Sequence, residues 1–429
     1  MILPVHRITS TFATKLHENS LLLFMLNKIF RTYHTAFSGL SRENWLLSFV
    51  MLINRMGTMA AVFMSVYVTQ SLKRSLSEAG LVIMLFGVGA VVGALSGGVL
   101  VKKFGFRFTQ IVTSLITGVL YIIFAKTENF NLILILAVLI GLISEAFRPA
   151  NFTAIAHYSK PEMITKSYSL NRFAINLGMG LGTGLGGILA SIDYHLLFIV
   201  EGFTNIAVGV LILILLPSAK KLLEKKPAPV INQSKIKSPW KDARFLKFMA
   251  VNLFYISSFL MMFKFAPVFW KEAKHIDESA IGIILALNGI IIAIFEMVLV
   301  QHLQTRKRDL YCIFIGIIMA AVSYACLVFS IIPAVVAAVL SVLFLTISEM
   351  LALPFVNTFV VESSGPENRG SYASVYTLTW SLSGIIAPAA GAFIADHFSY
   401  NTLWISLAVV CLIIGFYMKN LFDKSKKTV

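Results

Sequence analysis

The sequence predicts an all-α polytopic membrane protein whose twelve transmembrane helices form two parallel six-helix repeats. Of its 429 residues, 58% are apolar or aromatic and only 13% are charged, whereas soluble domains carry roughly 45–50% apolar and roughly 25% charged residues. The apolar residues, about 249, suffice for about twelve spans of ~20 residues each. Basic residues concentrate in alternate loops, and elements of the first half recur in the second. This composition excludes a soluble enzyme, a disordered scaffold and a nucleic-acid-binding domain.

Twelve apolar stretches, most of them 20 residues or longer, predict the transmembrane helices. Short polar or proline-containing turns separate them, with one long exception after the sixth stretch. The predicted helices cover residues 45–69, 77–101, 108–126, 131–157, 165–191, 195–217, 247–271, 279–303, 310–330, 333–360, 370–395 and 401–418.

These spans divide the chain into two bundles and three polar segments. The N-terminal segment holds a short apolar run, Leu21 to Leu26, which cannot span a bilayer and is interpreted as an interfacial helix. The long connection between the bundles is either a solvated linker or a basic loop that touches anionic lipid. The predicted units are the N-terminal cytoplasmic or interfacial segment 1–44, the six-helix bundle 45–217, the cytoplasmic linker 218–246, the six-helix bundle 247–420 and the cytoplasmic tail 421–429.

The distribution of basic residues predicts the orientation. Of the 36 Lys and Arg residues, 27 lie at the termini and in alternate connections, 5 lie in the opposite loops and 4 lie within helices. An excess of Lys and Arg marks cytoplasmic loops. Both termini are therefore predicted to be cytoplasmic, and the net charge of +16 reflects topology and not a nucleic-acid partner.

Sequence elements of the first half recur in the second. Glu145 and Glu349 each follow an Ile-Ser pair at an offset of 204, and Glu78 matches Glu278 at an offset of 200. Acidic residues are rare in the middle of spans, so a matched pair is informative. Helices 1–6 and 7–12 are therefore interpreted as parallel repeats. The glycine-rich stretch 178–187 of span 5 is interpreted as a close packing surface between them.

Several motifs resemble those of the major facilitator superfamily. Residues 98–107 (GVLVKKFGFR) resemble its loop signature G-x-x-x-D-[RK]-x-G-R-[RK], although the acidic position is Lys102 and one basic position is Phe106. Residues 54–57 (NRMG), 145–150 (EAFRPA) and 171–178 (NRFAINLG) extend the similarity to the drug:proton antiporter-like branch, from about Trp45 to Lys419.

The resemblance implies a monomeric secondary transporter that works by alternating access in a bacterial cytoplasmic membrane. It also implies a gating role for the loop between spans 2 and 3. The gating-loop residues are Gly98, Lys102, Lys103, Gly105 and Arg107.

Seven ionisable residues fall within predicted spans. A charge at the bilayer centre costs roughly 2.5–3.5 kcal/mol, so seven facing lipid would cost about 20 kcal/mol, which exceeds the stability of most proteins. They must therefore face a polar cavity or one another. The seven residues are Arg55, Glu145, Arg148, Arg172, Lys264, Glu296 and Glu349.

The glutamates have different predicted roles. Glu145 lies three residues before Arg148, so the two share a helical face and form a pair that either contacts substrate or holds span 4. Glu349 has no basic residue within one turn on its own span and is predicted to be the proton-coupling residue. Glu296 is the alternative, unless it pairs with the basic residues 306–308 of the next loop.

Three of the charges are arginines of the N-terminal half: Arg55, Arg148 and Arg172. Guanidinium groups bind carboxylate or phosphate bidentately, so they favour an anionic or zwitterionic small-molecule substrate. Structural bridging is the alternative, and Arg172 or Lys264 could instead extend to the membrane surface. Matching regions of spans 5 and 11 add candidates for substrate contact or for packing, namely Asn176, Tyr376 and Trp380.

The sequence therefore predicts a proton-coupled transporter of a small organic molecule, and the family resemblance alone favours export by antiport. The arginines favour a second hypothesis, proton-coupled uptake of a peptide-like or carboxylated nutrient. A third is a receptor or scaffold that does not transport, for which the polar loops are too short to form a binding domain. No hydrolytic or metal-binding motif is found, so we expect no enzymatic activity, metal or cofactor. The expected energy source is the proton gradient, and the expected partners are the small-molecule substrate and the lipid bilayer.

Overall fold

The computed structural model confirms the predicted number of spans. The residues that it describes contain twelve helices long and apolar enough to cross a membrane. Those residues are 37–160, 163–217, 238–304, 309–328, 332–363 and 369–426. The helices are α1 (Arg42–Ser71), α2 (Leu76–Phe104), α3 (Phe106–Ala125), α4 (Phe130–Tyr158), α5 (Ile164–Ile192), α6 (Tyr194–Leu215), α7 (Ala243–Glu272), α8 (Glu278–Gln304), α9 (Asp309–Val328), α10 (Ala334–Ser363), α11 (Arg369–His397) and α12 (Tyr400–Lys426).

Several predictions about the polar segments lie outside the described residues. These are the interfacial helix at Leu21 to Leu26, most of the segment 1–44 and most of the linker 218–246. The described end of the linker forms a short 3-10 turn, after which the Asp242 side chain accepts a hydrogen bond from the Phe245 N–H at 3.1 Å. This cap starts α7 at Ala243, four residues before the predicted position 247. At the other end of the chain, α12 continues beyond its predicted end at 418.

Helix α1 is interrupted, where the sequence predicted one continuous helix over 45–69. Its first segment, Arg42–Met56, ends before Gly57, and a second segment, Met59–Val66, begins two residues later. Gly57 lies against α6, and a Cβ atom placed on it would lie 3.0 Å from the Cγ2 atom of Thr204. An interruption inside a bilayer frees backbone N–H groups that only the protein itself can satisfy.

The two halves have matching architecture. In the first half α2 packs on α4 and α3 on α6, and in the second half the equivalent helices pack in the same way, α8 on α10 and α9 on α12. Glu145 of α4 and Glu349 of α10 are each the sixteenth residue of their helix, so the sequence repeat is also a repeat in space. Between the halves, α5 packs on α8, α2 on α11, and the second segment of α1 on α7.

Glycines bring the two halves into backbone contact. A Cβ atom on Gly187 of α5 would lie 2.6 Å from the Cα atom of Gly282 on α8, and one on Gly289 would lie 2.6 Å from the Cα atom of Gly180. On the other side of the interface, a Cβ atom on Gly80 of α2 would lie 2.3 Å from the side chain of Ala392. The glycine-rich stretch of α5 therefore forms a packing surface between the halves, as predicted.

The halves are closed at one end of the bundle. This end carries the α1–α2, α5–α6, α7–α8 and α11–α12 connections; following the predicted orientation we term it the outer end, and the opposite one the inner end. A single apolar core crosses both halves near the outer end and includes Phe63, Tyr67, Phe265 and Trp270. At the inner end, the first half has a separate small core around Phe106. The structure is therefore a state closed at the outer end.

The packing of α2 on α4 generates a prediction about stability. A Cβ atom on Gly93 would lie 2.0 Å from the carbonyl oxygen of Leu142, whereas one on Gly98 would meet nothing within 4 Å. We expect Gly93→Ala to lower the midpoint of thermal unfolding of the detergent-solubilised protein by about 1–3 °C or more, because overpacking costs about 1–3 kcal/mol and each kcal/mol shifts the midpoint of a chain of this length by about 1 °C. Gly98→Ala, the matched control, should leave the midpoint unchanged. Equal midpoints for the two variants would contradict this packing.

Candidate functional site

The predicted pair on α4 forms. Arg148 Nε lies 3.0 Å from Glu145 Oε2, and Arg148 Nη2 donates to Glu145 Oε1 at 3.3 Å, so the contact is bidentate. The Arg148 side chain is nevertheless 58% exposed. A charged group that is exposed in the middle of a membrane helix marks a water-filled cavity, because facing lipid would be costly. Arg148 can therefore bind an anionic group while it remains paired with Glu145.

Arg55 of α1 joins this pair to a deeper charge. Its guanidinium interacts electrostatically with Glu145 and Arg148 on α4 and with Glu201 on α6. The Nε atom of Arg55 is buried and has no hydrogen-bond partner among the described residues. A guanidinium with a free N–H next to two carboxylates retains a donor for a further acceptor. We term Arg55, Glu145, Arg148 and Glu201 the N-half charge cluster.

Glu201 was missed by the sequence interpretation, which counted only seven charges within spans. Its residue is 2% exposed, and its Oε2 atom accepts a hydrogen bond from the backbone N–H of Ala60 at 3.1 Å. Ala60 is the second residue of the second segment of α1, so the carboxylate caps a helix end in the protein interior. An acidic residue inside the predicted span 195–217 was the signal that could have found it.

A second group of charges joins the two halves. Arg172 on α5 forms an ion pair with Glu296 on α8, and the Asn176 side chain donates to the same carboxylate at 3.4 Å. Arg172 thus reaches the other half and does not extend to the membrane surface. Glu296 has its partner in α5; the alternative partners at 306–308 lie outside the described residues. The ion pair therefore joins the two halves of the protein.

Glu349 lies next to this ion pair. The Nδ2 atom of Asn288 on α8 donates to Glu349 Oε2 at 3.1 Å, and Glu349 interacts electrostatically with both Glu296 and Arg172. Asn288 also donates to Thr346 Oγ1 at 3.1 Å, one turn before Glu349 on α10. The two candidate proton-coupling glutamates therefore share one site with a single arginine.

The predicted aromatic residues lie beside the same site. Tyr376 on α11 interacts with Arg172 and with Trp380, one turn further along its own helix. The Trp380 ring packs edge-on against Phe259 of α7, with 6.3 Å between centroids. These aromatics form one side of the inter-half site, which we define as Arg172, Asn176, Asn288, Glu296, Glu349, Tyr376 and Trp380.

The gating-loop residues lie apart from both groups, at the inner end between α2 and α3. Gly105 links the two helices with a φ of +86°, a conformation that favours glycine. The Nη2 atom of Arg107 donates to the carbonyl oxygen of Leu213 at 2.7 Å, at the C-terminal end of α6. Phe106, which stands at a basic position of the family signature, is buried against Tyr158. Lys102 and Lys103 are exposed.

Lys264 takes part in the closure of the outer end. Its Nζ atom donates to the carbonyl oxygen of Ala61 on α1 at 3.1 Å, and Ser65 Oγ of α1 donates in return to the carbonyl oxygen of Lys264 at 2.6 Å. The lysine therefore bonds across the halves, where the sequence interpretation left open an extension to the outer surface. Among the described residues no carboxylate forms an ion pair with it.

Comparisons with known proteins give one family and several distant relatives. The family model described as Major Facilitator Superfamily matches residues 46–388. The chain is 24% identical over 387 residues to the uncharacterized MFS-type transporter YttB of Bacillus subtilis, covering 85% of this chain and 90% of YttB. It is 22% identical over 345 residues to the quinolone resistance protein NorA of Staphylococcus aureus, covering 79% of this chain and 87% of NorA.

One further sequence relative and one solved structure are similar to this chain over most of its length. The chain is 21% identical over 400 residues to a Na(+), Li(+), K(+)/H(+) antiporter of Planococcus maritimus, covering 84% of this chain and 92% of that protein. Its fold matches the crystal structure of a POT family transporter in complex with 5-aminolevulinic acid, with a TM-score of 0.77 at 14% identity, over 90% of this chain and 97% of the other.

The contacts of Lys264 generate a prediction about the outer end. Burying an ammonium group with a single carbonyl partner costs more than that bond returns, whereas the Ser65 hydroxyl makes a neutral bond that only stabilises closure. We therefore expect Lys264→Met to lower the population open at the outer end at least fivefold, and Ser65→Ala to raise it severalfold. Distances between spin labels at Glu128 and Asn401, in a cysteine-free background in lipid nanodiscs, measure this population.

The experiment is specific because the two variants are expected to change the population open at the outer end in opposite directions. Arg74→Gln is the matched control, because Arg74 contacts Glu78 and the ring of Phe130, both in its own half. A shift of the two variants in the same direction would contradict the roles assigned to Lys264 and Ser65.

Proposed function

Because the chain belongs to the Major Facilitator Superfamily, we propose that it is a proton-coupled secondary transporter that moves a small organic molecule by alternating access. It is a multi-pass protein of the bacterial cytoplasmic membrane. The proposed direction is export in exchange for protons. The names of two relatives support this direction, since one is a quinolone resistance protein and another exchanges cations for protons.

The observation that carries the proposal is the ion pair between Arg172 and Glu296 across the interface of the halves. While the two halves touch here, the guanidinium compensates the carboxylate. If α5 moves away from α8, Glu296 loses this partner, and a carboxylate without a partner in a low-dielectric environment is stable only when protonated. Proton binding and separation of the halves are thereby linked.

Glu349 extends this site and provides the second proton acceptor. It lies beside Glu296 and shares Arg172 with it, so the two carboxylates and one guanidinium carry one negative charge in excess when both are ionised. Two neighbouring carboxylates tend to share a single proton, because like charges at close range disfavour double ionisation. We assign proton coupling to this pair, with Glu349 as the primary residue.

The substrate site is assigned to the cavity beside the N-half charge cluster. Arg148 is exposed there, and Arg55 adds a second positive charge beside it, so a substrate with a carboxylate or another anionic group matches them best. This observation also favours the second candidate function, proton-coupled uptake of a peptide-like or carboxylated nutrient. The two candidates differ in the direction of substrate flux under an imposed proton gradient.

Transport by purified protein in proteoliposomes tests proton coupling. We expect an imposed pH gradient to drive accumulation of one member of a panel of labelled carboxylates, zwitterions and organic cations. Glu349→Gln should reduce this accumulation at least tenfold, while exchange of the same compound without a gradient should persist. Glu362→Gln, an exposed position on the same helix, is the matched control. Gradient-driven accumulation that survives both Glu349→Gln and Glu296→Gln would exclude these residues. Failure of every candidate to move would favour the receptor or scaffold hypothesis.

The contribution of Arg148 is tested by counterflow, which needs no proton gradient. We expect Arg148→Ala to reduce counterflow of the transported compound at least tenfold, because the charge-assisted hydrogen bond that Arg148 is proposed to make with the anionic group of the substrate is lost. Lys160→Ala, at an exposed position beyond the inner end of α4, should leave counterflow unchanged. Wild-type counterflow in a folded Arg148→Ala variant would assign the Glu145–Arg148 pair a purely structural role.

A further inference from the structure

Glu201 is a buried carboxylate that the proposed mechanism does not use. It lies on α6, which packs mainly on α3 and α1 and takes no main part in the contact between the halves. Its carboxylate accepts a hydrogen bond from the backbone N–H of Ala60 at the interruption of α1 and interacts with the side chain of Asn205 on its own helix. Interior carboxylates are costly in a membrane protein, so one without a structural salt bridge is a candidate for function.

The interruption of α1 is built around this carboxylate. Close contact of Gly57 with Thr204, one turn after Glu201 on α6, holds the interruption against α6. Asn205 on the same helix accepts a hydrogen bond from Asn54 at 3.3 Å, which fixes the end of the first segment of α1. The N-terminal end of the second segment then points its N–H groups, with their partial positive charge, at Glu201. A helix end of this kind accepts both an ionised carboxylate and the carbonyl oxygen of a protonated one.

Charged and titratable groups on three helices surround Glu201. They are Arg55 on α1, Tyr121 on α3 and, further away, Glu145 with Arg148 on α4. With Glu201 ionised, the two glutamates and two arginines of the N-half charge cluster sum to zero. With Glu201 protonated, the cluster carries one net positive charge, and Arg55 is left with Glu145 as its only carboxylate neighbour.

We propose that Glu201 is a third proton-binding residue, besides Glu349 and Glu296, and that its protonation state sets the charge which Arg55 and Arg148 present to the substrate. The proposal rests on the function proposed above. The step is the transfer of one proton from a hydronium ion to the carboxylate: one O–H bond of the hydronium breaks, one O–H bond forms at Glu201, a water molecule is left, and the hydrogen bond from Ala60 is retained.

The sign of the coupling follows from the charge. A proton on Glu201 makes the cluster positive, so proton and anionic substrate bind cooperatively, whereas proton and cationic substrate compete. Glu201 is thus a specificity-determining residue: an anionic substrate would be carried with the proton, as in the second candidate function, and a cationic substrate in exchange for it, as in the first. A zwitterion is discriminated by which of its charged groups lies nearer Arg55.

The test uses the full-length protein in lipid, without a substrate. Infrared difference spectra between about pH 5 and pH 9 report the carbonyl band of protonated carboxyl groups. We expect a component of the titrating band to disappear in Glu201→Gln and to persist in Glu362→Gln. The glutamine retains a carbonyl oxygen for the N–H of Ala60, so the helix cap should survive. Measurement in a Glu349→Gln, Glu296→Gln background separates this component from the inter-half site.

A second variant tests the coupling and does not require Glu201→Gln to fold. We expect Arg55→Gln to move the midpoint of the Glu201 component to higher pH by about one unit, a tenfold change in proton affinity, because a compensating positive charge is removed. Arg74→Gln, far from the cluster, should leave the midpoint in place. An unchanged titrating band in Glu201→Gln, or an unchanged midpoint in Arg55→Gln, would overturn the proposal. Because no substrate is involved, neither result depends on whether transport is observed.

Discussion

The constraint on which this structure depends is that the bilayer offers no partner to a charge, so each interior charge must find its partner within the protein. The protein meets this constraint in three ways. Glu145 pairs with Arg148 on the same helix, Arg172 pairs with Glu296 across the two halves, and Glu201 faces a helix end. Each solution ties the charge to a different set of helices, so each responds differently when the halves move.

The interface between the halves combines two kinds of contact with opposite properties. Toward the outer end, backbones touch through Gly187 and Gly282, a contact that depends on shape alone. Further in, the same two helices are joined by the ion pair of Arg172 and Glu296. Shape contacts separate without leaving unsatisfied groups, whereas separation of the ion pair leaves two charges to be hydrated or neutralised. Separation of the halves therefore requires hydration or neutralisation of charges at the ion pair, but not at the glycine contacts.

The sequence was sufficient for the helices and for the repeat, because apolar length and matched glutamates are local signals. It also identified Glu145 with Arg148, which are neighbours on one helix. It was not sufficient for partners that come from distant helices. The pairing of Arg172 with Glu296, the bond from Lys264 to Ala61 and the interruption of α1 at Gly57 arise from packing between helices far apart in the chain.

Helix α1 joins the N-half charge cluster to the other half of the protein. On one side, the N–H of Ala60 at the interruption donates to Glu201 of α6, within the same half. On the other side, the neighbouring carbonyl oxygen of Ala61 accepts a hydrogen bond from Lys264 of the other half. Movement of the halves breaks the contact with Lys264 but carries Glu201 along unchanged. A proton on Glu201 would therefore travel with the N-terminal half through the cycle, whereas a proton on Glu296 is bound or released as the halves separate. The protonation of Glu201 would then depend on the bound substrate, and that of Glu296 on the conformation, so neither carboxylate could replace the other.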